Sequence, residues 1–166
     1  MTKVLTSSGW VYCVIVLDWH TKKIVGHHAG LQATTKDWLL ALDQAVKTQF
    51  PQGTRGMGLH LMSDNGSQPT STAFIKACSL LGIQQAFTSY NNPKGNADTE
   101  RLMRTMKEEL IHIREWHHPW ELIQALSQWI NFYHAQYLHS ALGYQSPLNF
   151  EKSCFEHQAC FRSLGA

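Results

Sequence analysis

Apolar residues fall in a sequence of distinct patterns along the chain. Trp10–Leu17 is a nearly unbroken apolar, β-branched run, which predicts a buried strand. Asp18–Lys22 is polar and reads as a turn, and Lys23–Ala29 reads as a second strand. So short a connection predicts an antiparallel hairpin. Trp38, Leu39, Leu42 and Val46 recur at helical spacing, with Thr35 placed to cap a helix that runs to about Phe50. Pro51-Gln52-Gly53 ends that helix, and Gly58–Met62 predicts a short buried strand. Thr70–Leu81 reads as a helix with Phe74, Ala77, Cys78 and Leu81 inward, stopped by Gly82. Ile83–Phe87 is a further strand, and Asn91–Asn96 is a loop rich in breakers. Helices are then expected over Ala97–Ile113 and Pro119–Tyr137, and a loose tail from about Ser153. Strands and helices in this order predict an α/β sheet flanked by helices.

Composition narrows the class. The 166 residues are 43% hydrophobic and 16% charged, which excludes a disordered chain. No apolar run reaches the roughly 18 residues of a membrane span, and a reduced, cytoplasmic setting is expected. Net charge is only +2, so bulk charge does not announce nucleic acid. The four cysteines, Cys13, Cys78, Cys154 and Cys160, form no C-x-x-C pair. Cys13 and Cys78 read as core thiols. Cys154, His157 and Cys160 could share one helix face, a weak metal pattern. His112, His117 and His118 cluster around a helix break, where solvated or capping roles are the simpler reading. Trp10, Trp38, Trp120 and Trp129 fall at core-like positions.

Two carboxylates stand out by position. Asp64 follows the apolar strand directly, in Ser63-Asp64-Asn65-Gly66-Ser67-Gln68. An acid at the exit of a buried strand sits where α/β sheets place their ligands, although an ordinary Asp-Asn-Gly turn has the same sequence. Glu100 lies near the start of the Ala97–Ile113 helix. At 100° per residue, Arg104 and Lys107 fall within about 40° of it, away from the stripe of Leu102, Met103, Met106, Leu110 and Ile113. A solvated face with an i,i+4 ion pair is the plain alternative.

Counting joins the two. Between Asp64 and Glu100 lie 35 residues. With this spacing the chain resembles the DDE transposases and retroviral-type integrases, most closely the integrase core of bacterial insertion-sequence transposases. Three further stretches carry the resemblance: Trp10–Gly26, Tyr90–Arg101 and the closing His139-Ser140-Ala141-Leu142-Gly143-Tyr144-Gln145-Ser146-Pro147. Together they cover the chain to about Glu151, which sets a core of residues 1–151 and a tail of 152–166.

The resemblance implies an RNase H-like mixed sheet flanked by helices. It implies metal-dependent DNA cleavage and strand transfer, with three carboxylates holding two Mg²⁺ (or Mn²⁺) ions. Asp64 and Glu100 match the second and third carboxylates, Arg104 and Lys107 match basic positions that approach DNA, and Asn65 stands beside the metal site. The expected partners are DNA, as element ends and target, and further copies of the chain. The family's first Asp lies in a W-x-x-D-x-T pattern. Met1-Thr2 matches its end, so that Asp would stand immediately before Met1 and most of the first strand is expected to be missing. The chain then reads as the C-terminal part of a transposase, inactive alone. Asp18 matches a recurrent position at the far end of the second strand and reads as a supporting acid. Two alternatives remain open. One is a non-catalytic DNA-binding or oligomerising module using Arg101, Arg104, Lys107 and Arg114. The other is a small metal-dependent nuclease using Asp18, Asp64 and Glu100.

Overall fold

The computed structural model describes residues 1–88 and 96–163, with side-chain detail to residue 155. Three strands form an antiparallel meander: β1 (Thr2–Thr6), β2 (Gly9–Leu17) and β3 (Ile24–Gly30). β1 pairs with β2 from Thr2 opposite Cys13 to Thr6 opposite Gly9. β1 has five residues and β2 nine, so β1 covers only the first part of β2 and leaves Val14–Leu17 unpaired on that side.

Helix α1 (Thr35–Gln49) packs on β3. Its cap is Thr34, one residue earlier than the expected Thr35. The Thr34 amide donates to the Asp37 carboxylate at 2.7 Å, a reciprocal bond that only the third helical residue can supply. The close approach to the sheet requires Gly26, because a Cβ there would run into the Ala41 carbonyl and sit 2.9 Å from the Ala45 methyl.

β4 (His60–Ser63), α2 (Thr72–Leu81) and β5 (Gln84–Phe87) follow, and β4 and β5 pair in parallel as a separate two-stranded sheet. α2 begins two residues later than its expected Thr70. Ser71 supplies the cap, accepting from the Phe74 amide at 3.3 Å, and Gly82 stops the helix at φ 69°. β4 starts two residues later and ends one residue later than expected, and only its Ser63 is buried.

Helix α3 (Ala97–Met106) is shorter than the expected Ala97–Ile113. From Lys107 to Ile111 the chain widens into a π turn, closed by the His112 amide donating to the Lys107 carbonyl at 2.8 Å. The wider turn buries Leu110 and Ile111 side by side and swings Ile113 out to 62% exposure, so Ile113 leaves the core stripe. Helix α4 (Pro119–Gln136) then crosses β2 and β3. Its Trp129 is core as expected, while Trp120 is 58% exposed and Trp10, on the outer face of β2, is 42% exposed.

The closing motif is a short 3₁₀ turn (Ser140–Leu142) that launches helix α5 (Pro147–Ser163) from buried Ser146 and Pro147. Residues from Ser153 therefore continue as helix rather than as a loose tail. Two cores result. The larger joins the inner face of the meander (Val4, Val11, Cys13) to α3 and α4 (Met106, Leu122, Tyr133), and the smaller joins Leu42, Phe74, Cys78 and Ile83. Cys13 and Cys78 are buried as expected, and burial pushes both thiols up to about 11. No described helix is long and apolar enough to cross a membrane.

Candidate active site

Asp64 leaves the C-terminal end of β4 and is exposed. One carboxylate oxygen, Oδ1, accepts the Gly66 amide at 3.0 Å, the turn its sequence predicts. Its other oxygen has no partner among the described residues. A Cβ on Gly66 would lie 2.9 Å from Oδ1, so the residue at 66 must be small for the carboxylate to keep this pose. Asn65 ties the turn to the end of β5, donating to the Thr88 carbonyl at 3.1 Å, and the Thr88 amide reaches the Ser63 carbonyl at 3.0 Å.

Glu100 sits one turn into α3 and is exposed, as are Arg104 and Lys107. Among the described residues none of the three makes an ion pair. The i,i+4 pair that would explain Glu100 as a solvated helix face is therefore not formed. The Tyr90–Gly95 part of the motif before α3 lies outside the described residues.

The azimuth of α3 is fixed by contacts invisible in the sequence. Lys22 Nζ pairs with Asp98 Oδ2 at 2.8 Å, and the Trp19 indole donates to Thr99 Oγ1 at 3.3 Å. Both anchors come from the β2–β3 turn, which Asp18 organises. Asp18 accepts the His20 amide at 3.0 Å, the Thr21 amide at 3.3 Å and the Thr21 hydroxyl at 2.6 Å. Both of its oxygens are spent on the turn, so Asp18 holds the scaffold that carries Glu100 and does not offer a free carboxylate. Lys22, Trp19, Asp98 and Thr99 were not legible as a set, because the partners lie about 80 positions apart.

A cavity of about 440 Å³ opens beside these groups. Its walls are Val14 and Val16 of β2, Leu42 of α1, Leu61 of β4 and Phe74 of α2, and Asp64, Asn96, Thr99 and Met1 are also on its lining. The end of β4 and the first turn of α3 thus meet at one opening. The Met1 ammonium lies there too. Burial lowers its pKa, and the neighbouring Asp64 carboxylate partly restores it.

The donors present suit a hard divalent cation in kind, being exposed carboxylate oxygens. In number they fall short, since no described cluster of three His, Cys, Asp or Glu side chains could hold a metal. The Cys154–His157–Cys160 pattern gains no support: Cys154 Sγ lies 3.9 Å from His20 Nε2, and the other two side chains lie outside the described residues. His117 and His118 instead meet Ser7 and Ser8, with Ser8 Oγ 3.2 Å from His118 Nδ1.

Comparison with known proteins places this geometry. The family description "Integrase core domain" matches residues 1–93, and a second of the same description matches 81–147. A transposase for insertion sequence element IS904 of Lactococcus lactis subsp. lactis is 31% identical over 153 residues, 92% of this chain and 59% of that protein. A transposase for IS629 of Shigella sonnei is 30% identical over 154 residues, 93% of this chain and 50% of that protein. The chain thus spans half to three-fifths of the length of these relatives. Among solved structures, the catalytic core domain of BIV integrase aligns at a TM-score of 0.63 and 19% identity, covering 96% of this chain and 95% of that one. The HTLV-2 integrase catalytic core in complex with magnesium, in a dimeric form, aligns at 0.56 and 14% identity over 89% of this chain and 88% of that one. The fold is the RNase H-like α/β fold that the sequence resemblance implied.

Proposed function

The chain belongs to the integrase core domain family, and from that premise we propose that it is the catalytic core of an insertion-sequence transposase, cutting DNA and joining the cut ends. One observation carries the reading: Asp64 and the first turn of α3 line the same cavity, and Asp64 and Glu100, with 35 residues between them, are both exposed and unpaired by any described cation side chain.

Asp64 and Glu100 are two of three carboxylates. When bound there, a pair of Mg²⁺ or Mn²⁺ ions supplies activation of a water or 3′-hydroxyl and stabilisation of the departing oxygen. The chain's own residues do the rest. Asn65 holds the Asp64 turn on β5, Asp18 builds the turn that docks α3, and Arg104 and Lys107 take up phosphate oxygens along the exposed face of α3. The partners are element ends and target DNA, engaged by more than one copy of the chain. The nuclease alternative built on Asp18 is disfavoured, since both Asp18 oxygens are committed.

The test uses the element's full transposase. Asp64→Asn and Glu100→Gln should each cut strand transfer by roughly three orders of magnitude or more while leaving the thermal midpoint in place. Retained strand transfer in either variant refutes the assignment. Arg104→Ala with Lys107→Ala should weaken DNA binding and reduce the log–log salt slope by about 2.

A further inference from the structure

We infer that Tyr144, in the closing motif, is a stacking platform for one unpaired base of a DNA strand, with Arg101 of α3 supplying charge for that strand's phosphates. Backbone conformation singles the residue out. Among the described residues only Lys22 and Tyr144 hold a positive φ without being glycine, at 58° and 61°. A residue with a Cβ seldom adopts this left-handed conformation, because the Cβ crowds the backbone. Lys22 has its reason inside the chain: its ammonium pairs with Asp98 and its carbonyl accepts the Tyr133 hydroxyl at 3.1 Å. Tyr144 has no such reason. It is 73% exposed, more than any other large hydrophobic residue described. Its ring stays out of the stack that joins Tyr133, Tyr137 and His139. Glycine or asparagine would hold the turn with less strain. A strained residue whose ring buries nothing points to a contact outside the chain.

The ring is also mounted on a fixed turn. Gly143 precedes it at φ 65°, the Tyr144 amide donates to the His139 carbonyl at 2.8 Å, and the His139 amide donates to the Gln145 carbonyl at 3.1 Å. Leu142 on one side and Ser146 with Pro147 on the other are buried, so the turn is pinned at both ends. A platform fixed in advance loses little entropy when a flat ligand settles on it.

Placement and charge name the ligand. The turn stands on His139, whose ring meets Tyr133 edge-on at 5.3 Å. Tyr133 reaches the β2–β3 turn through the Lys22 carbonyl, and Lys22 holds the first turn of α3. Burial lowers the His139 pKa, and the positive charges of Lys22 and Arg101 add to the effect while Asp98 opposes it, so Arg101 lies on the side of α3 toward this turn. Arg101 is exposed and makes no ion pair among the described residues. From Leu122 to Phe150 the chain has no Asp, Glu, Lys or Arg, so the turn itself carries no carboxylate to repel phosphate. A flat aromatic face near an unpaired guanidinium suits a nucleotide, whose base stacks while its phosphate pairs. Bases inside a duplex stack on one another, so the ligand is a single strand or a frayed end. That this strand is one handled by Asp64 and Glu100 rests on the catalytic reading above; the platform itself does not.

The experiment measures fluorescence anisotropy of the 166-residue chain with a labelled short oligothymidylate, beside an abasic oligomer with the same number of phosphates. Tyr144→Ala and Tyr144→Leu should each raise the Kd for oligothymidylate by about tenfold, and Tyr144→Phe by less than about twofold. All three should bind the abasic oligomer as the parent does. Arg101→Ala should weaken both and reduce the log–log salt slope by about 0.7. Oligothymidylate binding unchanged in Tyr144→Ala overturns the platform, and so does binding retained by Tyr144→Leu, which would make the contact apolar rather than aromatic. No binding by the parent chain overturns it too. Tyr144→Gly relieves the strain and should keep the thermal midpoint at or above the parent's. A lower midpoint would make the ring a structural element and overturn the inference. Every one of these readouts is binding or stability. Strand transfer that survives Asp64→Asn in the full transposase therefore sinks the catalytic reading and leaves the platform standing.

Discussion

Asp18 and Asp64 both follow a strand, and local sequence ranks them almost equally. Their hydrogen bonds separate them. Asp18 accepts three bonds from the next turn, and Asp64 accepts one, its other oxygen having no partner among the described residues. Asp18→Asn removes a charge and replaces one acceptor oxygen by a donor, so at least one of the bonds from His20 and Thr21 is lost. The expected cost is about 1–2 kcal/mol, read as a lower thermal midpoint. Strand transfer by the full transposase should fall no more than about tenfold, against the near-complete loss expected for Asp64→Asn. A loss as deep as that of Asp64→Asn would return Asp18 to the catalytic set. The sequence shows that an acid belongs at each position, but which acid is free depends on how Thr21 and His20 fold back.

Elements were legible where the signal was local. The hairpin of β2 and β3, the cap and stop of α2, and the break before α4 are written in runs of a few residues. The misses arise where the outcome depends on distant partners. The π turn at Lys107–Ile111 follows from burying both Leu110 and Ile111 against the core, which no helical periodicity anticipates. Helix α5 lacks a clean stripe and is held by tertiary contacts instead. Lys23 Nζ pairs with Glu151 Oε2 at 2.6 Å, both side chains largely buried, and His20 meets Phe150 edge-on at 5.5 Å. Those contacts place α5 on the same β2–β3 turn that positions α3. Glu151→Gln leaves Lys23 charged and half-buried without its counter-ion. The prediction is a loss of about 1–3 kcal/mol and faster amide exchange across the first turns of α5, with α1 exchange unchanged. Unchanged α5 exchange would mean that the helix is held by Phe150 alone.

At the scale of the whole molecule, the two sheets are bridged through helices and the α3 anchors, and the β2–β3 turn is their common mount. Beneath that mount lies His134, whose Nε2 accepts the Ile24 amide at 3.1 Å. Burial lowers its pKa to about 4, and the adjacent Lys23 pushes the same way, while Glu151 opposes them. The folded protein thus holds His134 neutral where the unfolded chain, near its ordinary 6.5, takes up a proton. Stability from this group is complete above about pH 6.5, declines as pH falls toward 4, and is lost below that. The same burial lowers His27 and His139, so they add to the decline in the same direction. For His134 the ceiling is about 3 kcal/mol, equivalent to roughly 5–10 °C in thermal midpoint for a domain of this size. Scanning calorimetry from pH 7.5 to 4.5 should record that fall. His134→Gln, whose amide oxygen can still accept from Ile24, should flatten the slope while lowering the midpoint at pH 7.5 only slightly. A variant as acid-sensitive as the parent would place the titration elsewhere, with His27 and His139 next in line. Because Lys22 and Lys23 are adjacent on this mount, protonating His134 adds positive charge under the Lys22–Asp98 anchor, and α3 should loosen with α5 as the pH drops.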